Sequence, residues 1–481
     1  MSDHFDTIVR DARVVSVDGV VGCDLAIKDG VIAARLAPNT SVSAAEVISA
    51  GGRYVLPGAI DPHVHLGYMS TFEEQCEQDT RAGAIGGVTS MQIFTQIRDT
   101  AKFESLRSAG ESLSLIDFAF SPTIRSADDA TVLDEAVTAW GVPSFKFFMA
   151  YRAKEGPSLV PGSSPNTLND GLMYEIFDRM ARYNRDGRPL VACVHAENFE
   201  VTDWFIQKAI DRGADGLRAW HEASPGFAEA ENAMRACYFA ELVGCPVYIV
   251  HLGAKESAEA IRRARRTHPH AFAETCPHYL SRTCDDPIGN LGKISPPIRT
   301  AEDVAASWEA LRDGTFATVG TDNTGTKLQK KQGTIWEAAR GMPGIGTLLP
   351  IVLSEGVNKG RMTLERAVAV TSTNAAKIFG LYPRKGSLDV GADADLVIVD
   401  LDREETVTPS LLQHYSDYNI YEGMQLRGWP ILTMRRGEVI ARDLDVVAKP
   451  GSARYLTVRA DSDLVSSRRG GSRVGQEGTV R

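Results

Sequence analysis

The sequence holds no run of about 18 apolar residues, the minimum for a membrane-crossing helix, so no membrane partner is expected. Basic excess is also missing. Lys and Arg number 52 against 62 Asp and Glu, giving a net charge of −10 and no footprint for nucleic acid or an anionic membrane. The opening MSDHFDTIVRDARVVSVDG has no basic segment leading into an apolar one. No secretory leader is therefore expected, and the expected location is cytoplasmic. The seven cysteines (Cys23, Cys76, Cys193, Cys237, Cys245, Cys276, Cys284) are odd in number and contain no CxxC pair. Such scattered thiols read as reduced and buried, not as a disulfide frame.

What is present is a long chain with a core. At 481 residues, with 43% hydrophobic and 24% charged residues, it suggests one large domain plus a smaller one. The first fifty residues alternate with period 2 in DTIVRDARVVSV, CDLAIKDG and VIAARLA, and ADADLVIVDLD and ILTMRRGEVIARD repeat that texture late in the chain. Short antiparallel strands at both ends imply a small β-sandwich domain built from both termini, residues 1–56 and 385–450. Between them, strand-like runs alternate with helical stretches such as FEEQCEQDTRAGAI and ENAMRACYFAELV. The eight runs lie in GRYVLPGAIDPHVH, GVTSMQIF, IDFAF, PSFKFFM, PLVACVH, CPVYIVH, AFAET and FATVGTD. Repeated β-then-α units fit an α/β fold, a (β/α)8 TIM-type barrel over residues 57–384, with an open doubly wound sheet as the competitor. Residues 152–170, rich in Pro, Gly, Ser and Asn, read as a loop over the barrel mouth. Residues 451–481 read as a C-terminal extension, mobile or at an oligomer interface.

The ionisable residues fall at one end of these strands. His63 and His65 close the first run, Lys146 lies within the fourth, and His195, His251 and Asp322 end the fifth, sixth and eighth. Period 2 puts His63 and His65 on one face, and the C-terminal ends of barrel strands converge on one mouth. Lys146 stands among Phe145, Phe147 and Phe148. Either its ammonium reaches outward to water, or burial lowers its pKa and frees the amine. A free amine takes up CO₂ as a carbamate, whose two oxygens bridge two cations. The set then offers two divalent ion sites, zinc first, with manganese or cobalt as alternatives. His63, His65 and Asp322 would hold one ion, His195 and His251 the other, and carboxylated Lys146 both. Other histidines read plainly: His278 as structural, His268 and His270 as exposed, His221 as lying in a loop before a helix. Arg299 reads as a loop anchor.

These segments resemble the amidohydrolase superfamily, and within it the dihydropyrimidinase/hydantoinase family. The likeness is carried by GAIDPHVHL, SFKFFMAY, VHAEN, VHLGAKES, ETCPHYL, SPPIR and VGTD, in that order. It continues through TSTNAAKIFGLYPRKGSLDVGADADLVIVD and SDYNIYEGMQLRGWPILTMRRGEVI. It implies ring opening of hydantoin or dihydropyrimidine-type cyclic amides to N-carbamoyl amino acids by a metal-bridging hydroxide, with Asp322 as proton shuttle. It further implies that Tyr151 donates to the oxyanion and that the Ser295 segment holds the substrate's amide edge. It implies a homotetramer, the usual state of such relatives, or a homodimer. The chain departs from the pattern at the rim. Asp322 is followed by Asn323-Thr324-Gly325, the loop reads Gly341-Met342-Pro343-Gly344-Ile345-Gly346, and Arg340 stands nearest the family's substrate-contacting asparagine. Arg152, Lys154 and Glu155 charge the lid. Asn323 and Arg340 thus join Tyr151 and Ser295 as candidate substrate contacts. Allantoin or cyclic imides are alternative substrates. A non-enzymatic relative is disfavoured because all six candidate ligands are retained.

Overall fold

Residues 4–150 and 166–458 are described by the computed structural model. Tyr151 and most of the charged lid lie outside them, as do residues 459–481. The N-terminal strands are β1 (His4–Ser16), β2 (Gly19–Lys28), β3 (Val31–Leu36), β4 (Ser43–Ser49) and β5 (Tyr54–Pro57). The barrel strands follow: β6 (Ala59–His65), β7 (Val88–Thr95), β8 (Asp117–Ile124), β9 (Ser144–Phe148), β10 (Val191–His195), β11 (Val247–Ile249), β12 (Ala271–Thr275), and the short pieces β13 (Thr318–Val319) and β14 (Asn323–Thr324). β15 (Leu396–Thr406), β16 (Gln425–Arg435), β17 (Glu438–Arg442) and β18 (Asp445–Val446) return to the first domain.

The barrel sheet runs β13-β12-β11-β10-β9-β8-β7-β6-β14, every pairing parallel. Because β13 and β14 are two pieces of one passage of chain, Asn323 and Thr324 pairing with Val64 and His65 close the ring. The eight runs read in the sequence are its strands, and the fold is a TIM-type barrel. Strands such as β7 and β8 are buried throughout because helices cover the outside while side chains fill the inside. The helix Phe72–Ile85 begins on the Thr71 side chain, which accepts from the Glu74 N–H, and presses its apolar face on the barrel. Residues 129–140 are helical in a broken form: 3-10 at Asp129–Val132, one α turn at Leu133–Glu135 and π at Ala136–Trp140. His221 is corrected too, since it lies inside the helix Gly216–Ala223.

The second sheet joins both ends of the chain in the order β18-β17-β16-β15-β5-β1-β2-β3, with β4 also on β1. Val9, Leu25, Ile32, Ile48, Val55, Ile398 and Met434 share one apolar cluster, so the sheet wraps its own core as a small β-sandwich. The purely antiparallel reading is corrected, because β4 and β5 pair with β1 in parallel. Where this domain meets the bottom of the barrel, buried Lys385 donates to Asp117 at 2.7 Å and Asp395 at 2.6 Å, with Asp393 at 2.9 Å. The last described segment adds to this contact. Phe118 N–H donates to Arg454 carbonyl at 3.1 Å, and Leu456 N–H to Phe118 carbonyl at 2.7 Å.

Candidate metal centre

At the opposite end of the barrel, the strand ends gather the candidate ligands. Nε2 of His63 lies 3.1 Å from Nε2 of His65 and 3.1 Å from Oδ1 of Asp322, which is 3.2 Å from His65 Nε2. Lys146 Nζ approaches His63 Nε2 at 3.4 Å. His251 Nε2 lies 2.8 Å from His195 Nδ1, and the His63 and His251 rings stack with centroids 5.3 Å apart. The structure therefore brings His63, His65, Lys146, His195, His251 and Asp322 to one mouth.

Local structure explains this convergence. On β6, Asp61 turns inward one register step below His63. Its carboxylate accepts from the N–H of His63 at 3.2 Å and from the N–H of Thr321 at 3.0 Å. That pins the chain just before Asp322 to the strand carrying the histidines. Burial pushes the Asp61 carboxyl up to about 8, against the opposing hydrogen bonds of Thr321. Asp322 and His251 both adopt left-handed backbone, with φ of 52° and 44°. Such backbone costs a non-glycine residue energy and recurs at functional sites. Gly320, in VGTD, has no Cβ because one would collide with the carboxylate of Glu274.

Hydrogen bonds behind the ligands fix their tautomers. Nδ1 of His63 meets Glu274 Oε1 at 2.7 Å, Nδ1 of His65 meets the Phe94 carbonyl at 3.3 Å, and Nε2 of His195 meets Glu197 Oε2 at 3.2 Å. With each outer nitrogen carrying the proton of its bond, each inner nitrogen is a bare lone pair. Two bare lone pairs 3.1 Å apart, His63 against His65, repel unless a cation lies between them. Four imidazoles, a carboxylate and a deprotonatable amine suit borderline divalent ions. The residues present therefore fit a metal centre, and His63, His65 and Asp322 alone form a compact three-ligand group.

Charge states agree with that chemistry. Burial lowers His63 well below its ordinary value, with the Lys146 ammonium adding to the effect. Burial does the same to His251, helped by His195. Burial also lowers His195, against the pull of Glu197. Neutral imidazoles are what a metal requires. Burial on its own would raise the Asp322 carboxyl, but His63, His65 and Lys146 hold it well below the usual carboxylate range. Lys146 is fully buried, lying 4.6 Å from the Phe94 ring centre and 5.2 Å from that of Phe148. Burial brings its ammonium down to about 8. The outward-reaching alternative for Lys146 is thereby excluded.

The substrate rim differs from expectation at one residue. Asn323 is completely buried. Its amide donates to Asp79 at 3.0 Å and accepts from the N–H groups of Gly344 and Ile345 at 2.9 and 3.3 Å. The expected substrate contact is corrected: Asn323 braces the loop beside Asp322. Ser295 is half-buried, and Tyr279 OH holds the adjoining Pro296 carbonyl at 2.6 Å. The guanidinium of half-buried Arg340 lies 5.3 Å over Trp220. Arg299 anchors as expected, donating to Glu229 at 2.7 Å and to the Ser224 carbonyl. His268 is corrected from exposed to buried, bonded to the Cys245 carbonyl at 2.9 Å, while His270 is exposed. His278 is buried, and among the described residues neither ring nitrogen has a partner.

A parallel barrel with imidazoles, a buried lysine and an aspartate at its C-terminal mouth defines a metal-dependent barrel hydrolase. Comparison with known proteins narrows this class. The profile of the Amidohydrolase family matches residues 224–440. The chain is 35% identical to L-hydantoinase of Paenarthrobacter aurescens over 475 residues, 95% of this chain and 98% of that protein. It is 34% identical to D-hydantoinase of Geobacillus stearothermophilus over 485 residues, 95% of this chain and 99% of that protein. The solved structure of L-hydantoinase (dihydropyrimidinase) from Arthrobacter aurescens superposes with a TM-score of 0.87 at 32% identity, covering 94% of this chain and all of that one. The chain belongs to the hydantoinase/dihydropyrimidinase family of the amidohydrolases. It is a hydrolase acting on cyclic amides, and the family implies a binuclear divalent metal centre.

Four supporting residues went unassigned in the sequence: Asp61, Asp79, Glu197 and Glu274. Three had a signal. Asp61 and Glu197 sit two residues from ligands, and Glu274 shares the inward parity of its barrel strand.

Proposed function

We propose that this chain opens hydantoin or dihydropyrimidine-type rings to N-carbamoyl amino acids. The observation that carries the reading is the gathering of His63, His65 and His195, each held from behind through its other ring nitrogen, with Lys146 and Asp322. Two divalent ions, zinc foremost, would be held by His63, His65 and Asp322 on one side and by His195 and His251 on the other, with carboxylated Lys146 between. When bound, they supply Lewis acidity and a water acidic enough to deprotonate near neutral pH. The chain's own residues do the remainder. Asp322 accepts the water's proton and returns it to the leaving ring nitrogen, for which its low pKa leaves it ionised and ready. Tyr151 donates to the carbonyl oxygen as charge develops there. The backbone around Ser295 and Arg340 holds the amide edge of the ring.

The ring substituent we assign is polar or ionised. Besides the charged lid sequence, this rests on Arg125, whose guanidinium lies 5.1 Å over Phe148 and 6.0 Å over Tyr68, at the end of β8. Tyr68 in turn packs on His65 with ring centres 4.9 Å apart, and Phe148 on His195 at 5.8 Å. The test is a panel of dihydrouracil, hydantoin, 5-aryl and 5-carboxyalkyl hydantoins, allantoin, dihydroorotate and cyclic imides, with metal-loaded enzyme. Turnover of hydantoins and dihydrouracil is expected, with the carboxyalkyl compound favoured. Turnover of allantoin alone would replace the ring assignment, and a clear aryl preference would remove the substituent assignment.

We also propose the division at 1–56 with 385–450, 57–384 and 451–481, and a homotetramer or homodimer in the cytoplasm. The oligomer is supported by exposed Trp204, Phe227, Met234, Tyr238 and Leu242 on the helices Phe199–Asp211 and Gly226–Val243. The location is supported by seven free, buried thiols. Light scattering on the eluting protein checks the assembly.

A further inference from the structure

Two carboxylates meet the rings of ligand histidines from behind without being ligands, and they are connected differently. Glu197 supports one ligand: its Oε2 lies 3.2 Å from His195 Nε2, and its other oxygen accepts from Ser224. Glu274 supports two. Its single oxygen Oε1 faces His63 Nδ1 at 2.7 Å and also accepts the backbone N–H of His251 at 3.0 Å. Its second oxygen is held by Tyr248 OH at 2.7 Å, and Tyr248 in turn lies 2.6 Å from Thr318 Oγ1. The whole chain of contacts is buried.

His63 and His251 belong to different halves of the centre. The bond to His63 fixes its tautomer and raises the basicity of its inner nitrogen. The bond to His251 holds a main chain in left-handed conformation, φ 44°, which a histidine adopts only when its surroundings enforce it. His251 Nδ1 has no partner beyond its own residue among the described residues, so the ring is aimed by its backbone and by His195. One oxygen atom therefore sets a ligand of each half.

We propose that Glu274 is a positioning residue that ties the two metal subsites together, so that losing its carboxylate weakens both ions at once. The proposal rests on the two-metal reading above, and its test reads metal content, not turnover. Holoenzyme carrying wild-type sequence, Glu274→Gln or Glu197→Gln is dialysed against graded chelator, and metal per chain is measured by elemental mass spectrometry. Glu274→Gln is expected to release both equivalents together at roughly 10–100-fold lower chelator than wild type, the range that outer partners of metal ligands command. Glu197→Gln is expected to release one equivalent early and the other at the wild-type point. Tyr248→Phe leaves the carboxylate in place and serves if Glu274→Gln does not fold. It is expected to move both release points together by a smaller factor. Early release of one equivalent alone, in Glu274→Gln or in Tyr248→Phe, overturns the proposal, as does retention of both at wild-type affinity. Wild-type protein that never holds two equivalents contradicts the two-metal reading itself.

Discussion

Lys146 reaches toward His63 from the opposite wall of the barrel, with Nζ 3.4 Å from the imidazole Nε2. Both groups are fully buried, and the same imidazole nitrogen also lies 3.1 Å from Asp322 Oδ1. The contact makes sense when the amine is converted to an anion and the imidazole lone pair is shared with a cation. Lys146→Ala should therefore fold, lose bound metal and lose activity. Added short carboxylic acids should restore part of the activity by standing in for the missing anion. Wild-type turnover in the variant would remove Lys146 from the centre.

Asp322→Asn preserves size and most of the hydrogen bonding but cannot accept a proton. Turnover should fall by about 10²–10⁴-fold, the usual contribution of a positioned proton-transfer group. Circular dichroism and the unfolding midpoint should show the fold intact. A kcat near wild type would take the proton shuttle out of the account.

Asn323→Ala tests the brace beside the site. The substitution strips Asp79 of a donor and leaves the N–H groups of Gly344 and Ile345 without their acceptor. Each buried group left unsatisfied costs about 1–3 kcal/mol. Denaturant unfolding should register a loss of that order, with kcat reduced because Asp322 is adjacent. An unchanged midpoint would show that the brace bears no strain of the loop.

His278 predicts an acid sensitivity. Burial lowers its pKa from 6.5 to about 3, so it is neutral in the folded protein where the unfolded chain would protonate it. The unfolded state then binds more protons between these values, and stability falls as pH drops from about 6.5 toward 3. Because its nitrogens have no partner among the described residues, His278→Leu sacrifices no hydrogen bond. The variant, compared with wild type in chelator, should lose less stability over that window. Parallel pH profiles would contradict this.

At the far end of the barrel, Lys385→Met would leave Asp117, Asp393 and Asp395 facing one another without their shared cation. Breaking a buried ion pair from one side costs about 3–5 kcal/mol. The unfolding midpoint should drop accordingly, while metal content per folded chain stays at the wild-type value.

The sequence made the barrel and its ligands legible for a local reason. Strand periodicity and strand-end position are properties of a few adjacent residues, so His63 and His65 could be placed on one face and Lys146 in a buried strand. The supporting shell was less legible because its partners are distant in sequence. Glu274 meets His63 across 211 positions, and Asn323 meets Asp79 across 244. Nothing near Asn323 distinguishes a brace from a substrate contact. The parallel pairing of β4 and β5 with β1 escaped for a similar reason, because alternation reveals a strand but not the direction of its neighbour. His268 was misplaced because a polar neighbourhood says little about one ring that turns inward to the Cys245 carbonyl.

The most direct test is anomalous diffraction from crystals of the metal-loaded enzyme grown with bicarbonate. The account predicts two anomalous peaks per chain, one beside His63, His65 and Asp322 and one beside His195 and His251, with density for a carboxylate beyond Lys146 Nζ joining them. A bare lysine amine, or metal peaks away from these six side chains, would contradict it.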